Sequence, residues 1–169
     1  MARCVFVEIE AAHIHEAAHA FIAHYYNIPL DRVRVSLGAG YGGTTRLDQN
    51  ALEQWPKEER GSLRKALLAV WSAGKVAEEK WSLNPPDPTH WEGDKQTVRE
   101  LYKALGFSDF SDGDFEAAAN VVKCVLDNDV HWNCVQELAR CLTLIQLSGA
   151  TLRNELRDFP QGSADNLLF

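Results

Sequence analysis

Between Val7 and Tyr26 the apolar residues Ile9, Ile14, Ala18, Phe21 and Ile22 recur near helical spacing, and Pro29 prevents the pattern from running on. This predicts a first helix with His15-Glu16-Ala17-Ala18-His19 at its middle. A strongly periodic helix therefore carries three ionisable side chains at its centre.

The rest of the chain reads as further helices around one small patch of strand. Val33, Val35 and Leu37 alternate with Arg34 and Ser36, and a second extended run from Thr44 to Leu47 follows a glycine-rich connection. This is a small β-hairpin or edge strand. Pro56 opens a second long helix to about Trp81, with Leu63, Leu67, Val70, Gly74 and Ala77 on one stripe. The prolines between Asn84 and Pro88 force an extended turn. Helices are expected from about Glu92 to Leu105, Asp112 to Leu126 and Trp132 to Leu147, with a short last one from about Ala150 to Arg157. The predicted fold is mainly α: one compact helical domain over residues 1–159, with the hairpin or edge strand beside the first helix. Residues 160–169 form a C-terminal tail, either loose or a docking strip.

A chain of 169 residues can bury one sizeable core and does not demand a second. Its formal net charge of −7 gives no continuous basic face for a phosphate backbone, which argues against nucleic acid as a partner. No apolar run approaches the roughly 20 residues that span a bilayer, and no leader pattern opens the chain, so a cytoplasmic location without a membrane partner is expected. The cysteines Cys4, Cys124, Cys134 and Cys141 include no C-x-x-C pair, and Cys134 and Cys141 fit a helix face as small core residues. The tryptophans read as core and interface residues rather than as a cofactor box.

Residues i and i+4 lie one above the other on a helix, so His15 and His19 can aim two imidazoles at one zinc ion. Glu16 falls beside that point but too far round to ligate well, the place of a general base that takes a proton from water. A hydrolytic zinc wants a third protein ligand. The longer signature H-E-x-x-H-x-x-G-x-x-H is excluded, because Ile22 and Tyr25 stand where its glycine and third histidine would be. Glu78, Glu79, His90, Glu92 and Asp94 remain as candidates, and spacing does not choose among them. His13 and His24 are rotated away from the pair, and His131 reads as structural. In the run Gly38 to Thr45, Thr44 stands where a phosphate-binding loop would need lysine, so this is a hairpin turn.

His15-Glu16-Ala17-Ala18-His19-Ala20 resembles the HEAGHA motif of the FtsH family, zinc peptidases normally fused to a membrane-anchored AAA ATPase. Leu68 to Glu79 is similar to that family's L-x-G-G-R-A-A-E-E helix, Thr89 and Asp94 resemble the ends of its T-G-A-x-x-D segment, and Leu147 to Arg153 is similar to its L-T-G-x-E-L segment. The resemblance runs from about His13 to Arg157. It departs at Ala18, Lys75 and His90, which replace a glycine, an arginine and a glycine.

The resemblance implies a zinc metallopeptidase with Zn2+ held by His15, His19 and Asp94, and with Glu78 and Glu79 beside the site. It also implies substrate added as a strand along Val33, Val35 and Leu37. Lacking the ATPase module, such a chain is expected to hydrolyse peptides or unfolded segments without ATP, alone, as a homo-oligomer or with a separate ATPase partner. The alternative is a catalytically silent zinc-binding interaction module of the same fold.

Overall fold

A computed structural model describes residues 9–36, 42–82, 88–143, 146–164, 167 and 169. The expected helix start at Val7, Leu37, most of the glycine-rich connection and most of the Asn84–Pro88 turn lie outside them.

Among the described residues the protein is mainly helical, with seven α-helices and a small antiparallel sheet. Helix α1 (Ala11–Tyr25) ends at a residue the sequence did not flag. Asn27 adopts φ 58°, the Ile28 amide donates to the Ala23 carbonyl at 2.7 Å and the Asn27 amide to the His24 carbonyl at 3.0 Å. This left-handed cap satisfies carbonyls that the last turn would leave orphaned, and it stops the helix before Pro29 is reached.

Strands β1 (Leu30–Ser36) and β2 (Gly42–Leu47) form the expected hairpin, pairing Val33 with Thr45 and Ser36 with Gly42. Helix α2 (Gln49–Glu53) and a single 3-10 turn (Lys57–Glu59) lead into α3 (Arg60–Trp81), followed by α4 (Pro88–Leu105), α5 (Asp112–Leu126) and α6 (Asp129–Leu142). Two of these starts are fixed by side chains. The Ser111 hydroxyl accepts from the Asp114 amide at 3.1 Å while the Asp114 carboxylate accepts from the Ser111 amide at 2.8 Å, and Asn128 Oδ1 accepts from the Val130 amide at 2.9 Å. Such caps contribute about 1 kcal/mol each.

The expectation of a helix from Trp132 to Leu147 needs correction at both ends. Asn128 starts α6 earlier, and after Leu142 the chain returns as β3 (Leu147–Ser148), pairing antiparallel with β1 through Val33–Leu147 and Arg32–Ser148, before α7 (Gly149–Leu156). The strand order β2-β1-β3 puts β1 in the centre. Within the predicted edge, Val33 is therefore paired on both sides, since β3 meets β1 at Arg32 and Val33, and β2 is an outer strand of the sheet.

Helix α1 is the axis of the core. Helices α3 and α6 and strands β1 and β2 all pack on it, and His13 to Ala23 are buried without interruption. Phe21, Ile22, Leu67, Leu68, Phe115 and Leu138 are among the core side chains, each stabilising the fold by roughly 1.5–3 kcal/mol through burial. The C-terminal segment docks on this body: the Gly162 amide donates to the Tyr25 carbonyl at 2.8 Å, and Lys65 Nζ donates to the Leu167 carbonyl at 2.7 Å. Among the described residues no helix is long and apolar enough to cross a membrane.

Candidate metal centre

Two stripes of side chains make the site. On α1, His15 and His19 stand one turn apart, and on α3, Val70, Gly74 and Glu78 recur at four-residue spacing and so share a face. The helices run in opposite senses across this contact. His15 meets Glu78, with its Nδ1 2.5 Å from Glu78 Oε1, and His19 meets Val70, with its Nδ1 2.7 Å from the carbonyl oxygen. Gly74 lies between, and a β-carbon there would collide with the His15 ring, so its lack of a side chain sets how closely α3 approaches.

These contacts decide where the lone pairs point. A carbonyl only accepts, so His19 Nδ1 must donate to Val70, and the neutral ring then presents a lone pair at Nε2. Glu78 fixes His15 in the same way. The two Nε2 atoms face each other at 2.9 Å, and the Asp94 carboxylate from α4 approaches them at 3.2 Å and 3.3 Å. Asp94 Oδ2 is buried without a hydrogen-bond partner. One atom from each of His15, His19 and Asp94 lies within 4.8 Å of the others. Lone pairs converging at such distances repel unless positive charge lies among them, which a proton on His15 or a divalent cation would supply.

The protonation energetics agree. Burial opposes a charge on His15, yet the Asp94 and Glu78 carboxylates outweigh it and raise the imidazole to about 10 in the absence of any other cation. Asp94 is buried, which by itself would raise its carboxyl, but His19 and His15 hold it well below the usual carboxylate range. The cluster thus attracts positive charge at its centre and keeps Asp94 ionised, the state a ligand needs. Two imidazoles and one carboxylate suit zinc, and Glu78 behind His15 stands where an outer carboxylate would orient a metal-binding imidazole.

Glu16 lies next to the cluster, and its Oε2 accepts a 2.7 Å hydrogen bond from Thr45 Oγ1 on β2. Burial pushes the Glu16 carboxyl up, against the pull of His19, His15 and Thr45. A carboxylate so placed is a stronger base than one in water and takes up a proton more readily. Gly43 is required here too, since a β-carbon at that position would overlap the Glu16 side chain. A cavity of about 770 Å3 opens on the assembly, lined by His15, Glu16, Gly43, Thr45, Trp71 and Asp94 among others.

Of the alternatives for a third ligand, Asp94 is the one brought to both imidazoles, and Glu78 contacts His15 through the nitrogen facing away from the cluster. Glu79 does not join them. It is exposed and pairs with Lys75 at 4.0 Å, because one residue along α3 turns the side chain by about 100°. Glu92 is likewise exposed and pairs with Lys95, and the His90 side chain lies outside the described residues. Val33 is buried in the core and Val35 half-buried, and neither lines the cavity. His13 accepts from the Glu10 amide, His24 contacts the Phe159 carbonyl, and His131 holds the Val125 carbonyl at 2.8 Å, so these three serve structure.

Sequence reasoning missed Thr45, the Val70 carbonyl, Gly43 and Trp71, whose ring centroid lies 5.0 Å from that of His19. The glycines carried a signal, since Gly74 sits one turn before Glu78. A backbone carbonyl carries none. Neither a scan of protein-family models nor a search of curated proteins matches this chain.

Proposed function

We propose that this protein is a zinc-dependent endopeptidase acting on flexible or unfolded polypeptide without ATP. The observation that carries the reading is the convergence of lone pairs from His15, His19 and Asp94, with the buried Glu16 carboxylate beside them in one open cavity. His15, His19 and Asp94 would hold the ion. Zinc, when bound, supplies Lewis acidity that polarises a carbonyl and acidifies a water. Glu16 accepts one proton from the attacking water, whose oxygen bonds to the carbonyl carbon. The C–N bond then breaks, and Glu16 returns that proton to the leaving amine. Thr45 holds the carboxylate during both transfers, and Glu78 and Val70 keep each imidazole turned by its Nδ1 proton.

The free edge of β2, rather than β1, is the strand beside the cavity on which an extended substrate would add through backbone hydrogen bonds. The resemblance to FtsH peptidase domains supports the same chemistry, and the free thiols Cys124, Cys134 and Cys141 suit the reducing cytoplasm. The test is elemental analysis of the purified protein together with casein cleavage by wild type and Glu16→Gln. The expected result is one zinc per chain in both and cleavage reduced about 10^2- to 10^4-fold in the variant. Zinc without cleavage in either protein would favour the silent interaction module, and a protein that takes up no zinc would end the metallopeptidase reading.

A further inference from the structure

A second cavity, of about 350 Å3, lies further along β2 and shares Thr45, Trp71 and Thr97 with the first. Residues 43, 45 and 47 alternate on one face of β2. Gly43 and Thr45 meet Glu16, while Leu47, one step on, borders the second cavity. On the opposite wall α4 advances by turns in the same direction: Asp94 and Thr97 line the first cavity, then Thr97, Leu101 and Ala104 line the second. The two cavities are successive compartments of one groove between β2 and α4.

Two residues of extended strand cover about 7 Å, so the second compartment lies one or two residues along a strand-like ligand from the bond beside Glu16. Its floor is largely apolar, with Thr45 the buried polar exception, its hydroxyl already bonded to Glu16. Leu52 is fully buried, Leu47 and Trp71 nearly so, and Leu101 and Ala104 complete the wall, while Arg46 and Glu100 stand at the rim with opposite charges. The outer edge of β2 is open: among the described residues, Gly42 to Leu47 make no backbone hydrogen bonds except to β1.

We propose that the second compartment is a specificity pocket that takes a medium-sized apolar side chain, leucine, methionine or phenylalanine, of a peptide lying extended on the β2 edge, within two residues of the bond to be cut. This inference rests on the peptidase reading for the position of that bond. Its binding preference can be measured without catalysis. An apolar floor between rim groups of opposite sign rewards an uncharged side chain and gives a lysine or glutamate no buried partner.

The experiment titrates zinc-loaded Glu16→Gln protein with blocked eight-residue alanine peptides in which one position at a time is leucine, phenylalanine, lysine or glutamate. At one position leucine or phenylalanine is expected to bind about 10- to 100-fold tighter than alanine, from the apolar area removed from water. Ala104 is exposed, so Ala104→Trp can fill the pocket without disturbing the core, and it is expected to bring that ratio close to one. Leu101→Arg is expected to shift the preference at the same position to glutamate. No measurable peptide binding, equal affinity for leucine and alanine at every position, or a preference that Ala104→Trp leaves intact would each overturn the pocket. If instead the variant discriminates as expected while wild type leaves casein uncut, the pocket stands and the peptidase reading fails.

Discussion

Helices α1 and α6 are nearly the same length, 15 and 14 residues, and lie against each other, yet they solve burial in different ways. Helix α6 buries one stripe, Cys134, Val135, Leu138, Ala139 and Leu142, and turns its other side outward. Helix α1 is enclosed by α3, α6, β1 and β2, so that eleven consecutive residues are buried, polar ones included. In α6 the apolar pattern alone accounts for its place. In α1 the three side chains of the site each have a partner, Glu78 for His15, Val70 for His19 and Thr45 for Glu16, while buried His13 bonds only through Nδ1, to the Glu10 amide. A buried polar group left without a partner costs about 1–3 kcal/mol, more if charged, so a helix of this second kind is stable only when its neighbours are cut to fit it. Function and packing are joined in α1 and separate in α6.

The sharpest way to break this comparison is Asp94→Ala. If Asp94 completes a metal site on α1, the variant is expected to lose stoichiometric zinc by elemental analysis and with it all casein cleavage. Retention of one zinc per chain would show that Asp94 is not the residue that completes the site. The complementary test on α6 is Leu138→Ala, which should lower unfolding free energy in urea by about 2–5 kcal/mol and leave zinc content unchanged. A loss of zinc in folded Leu138→Ala protein would show that the two helices are not separable.

The unequal legibility of the two helices follows from the same difference. The buried face of α6 at Cys134, the start of α5 at Asp112 and the run of α3 to Trp81 were readable because side-chain periodicity and capping residues are local signals. His15, Glu16 and His19 were readable because their spacing places them on one helix. The third member of the cluster was not, because choosing Asp94 over Glu78, Glu79 or Glu92 depends on how α3 and α4 sit against α1, and only the resemblance to a known family pointed to it. The central position of β1 depends on Leu147 and Ser148, more than a hundred residues later, which an alternating run cannot foretell. Asn27 ended α1 by adopting a left-handed backbone that asparagine tolerates, ahead of the proline that looked decisive.

A smaller effect separates shape from ligation. Gly74→Ala adds only a methyl group and removes no donor, but that methyl meets the His15 ring and must push α3 from α1 or rotate the imidazole off Glu78. Zinc affinity is expected to fall about 10- to 100-fold, read by competition with a chelator of known affinity, and Glu78→Gln should fall in the same range because it weakens the acceptor that orients His15. If Gly74→Ala binds zinc as tightly as wild type, the closeness of α3 is not what shapes the site.

The smallest expected effect comes from Lys80, two residues beyond Glu78 on α3. Its Nζ lies 3.1 Å from Asp127 Oδ1 and 5.3 Å from the centre of the Trp132 ring, joining the end of α3 to the junction of α5 and α6. Glu78 and Lys80 both have charged heads with partners, at 2.5 Å and 3.1 Å, but about 200° of helix rotation turns Lys80 away from the α1 contact. Its side chain is 29% exposed and that of Asp127 56%, so water screens the pair. Lys80→Met, which keeps the apolar stem over Trp132 and removes the charge, is therefore expected to cost about 0.2–1 kcal/mol in urea, with most of the difference gone in molar salt and no change in zinc affinity. A salt-independent cost above that range would mean that the α5–α6 junction, like α1, depends on an individually partnered charge, and the contrast between the two helices would narrow accordingly.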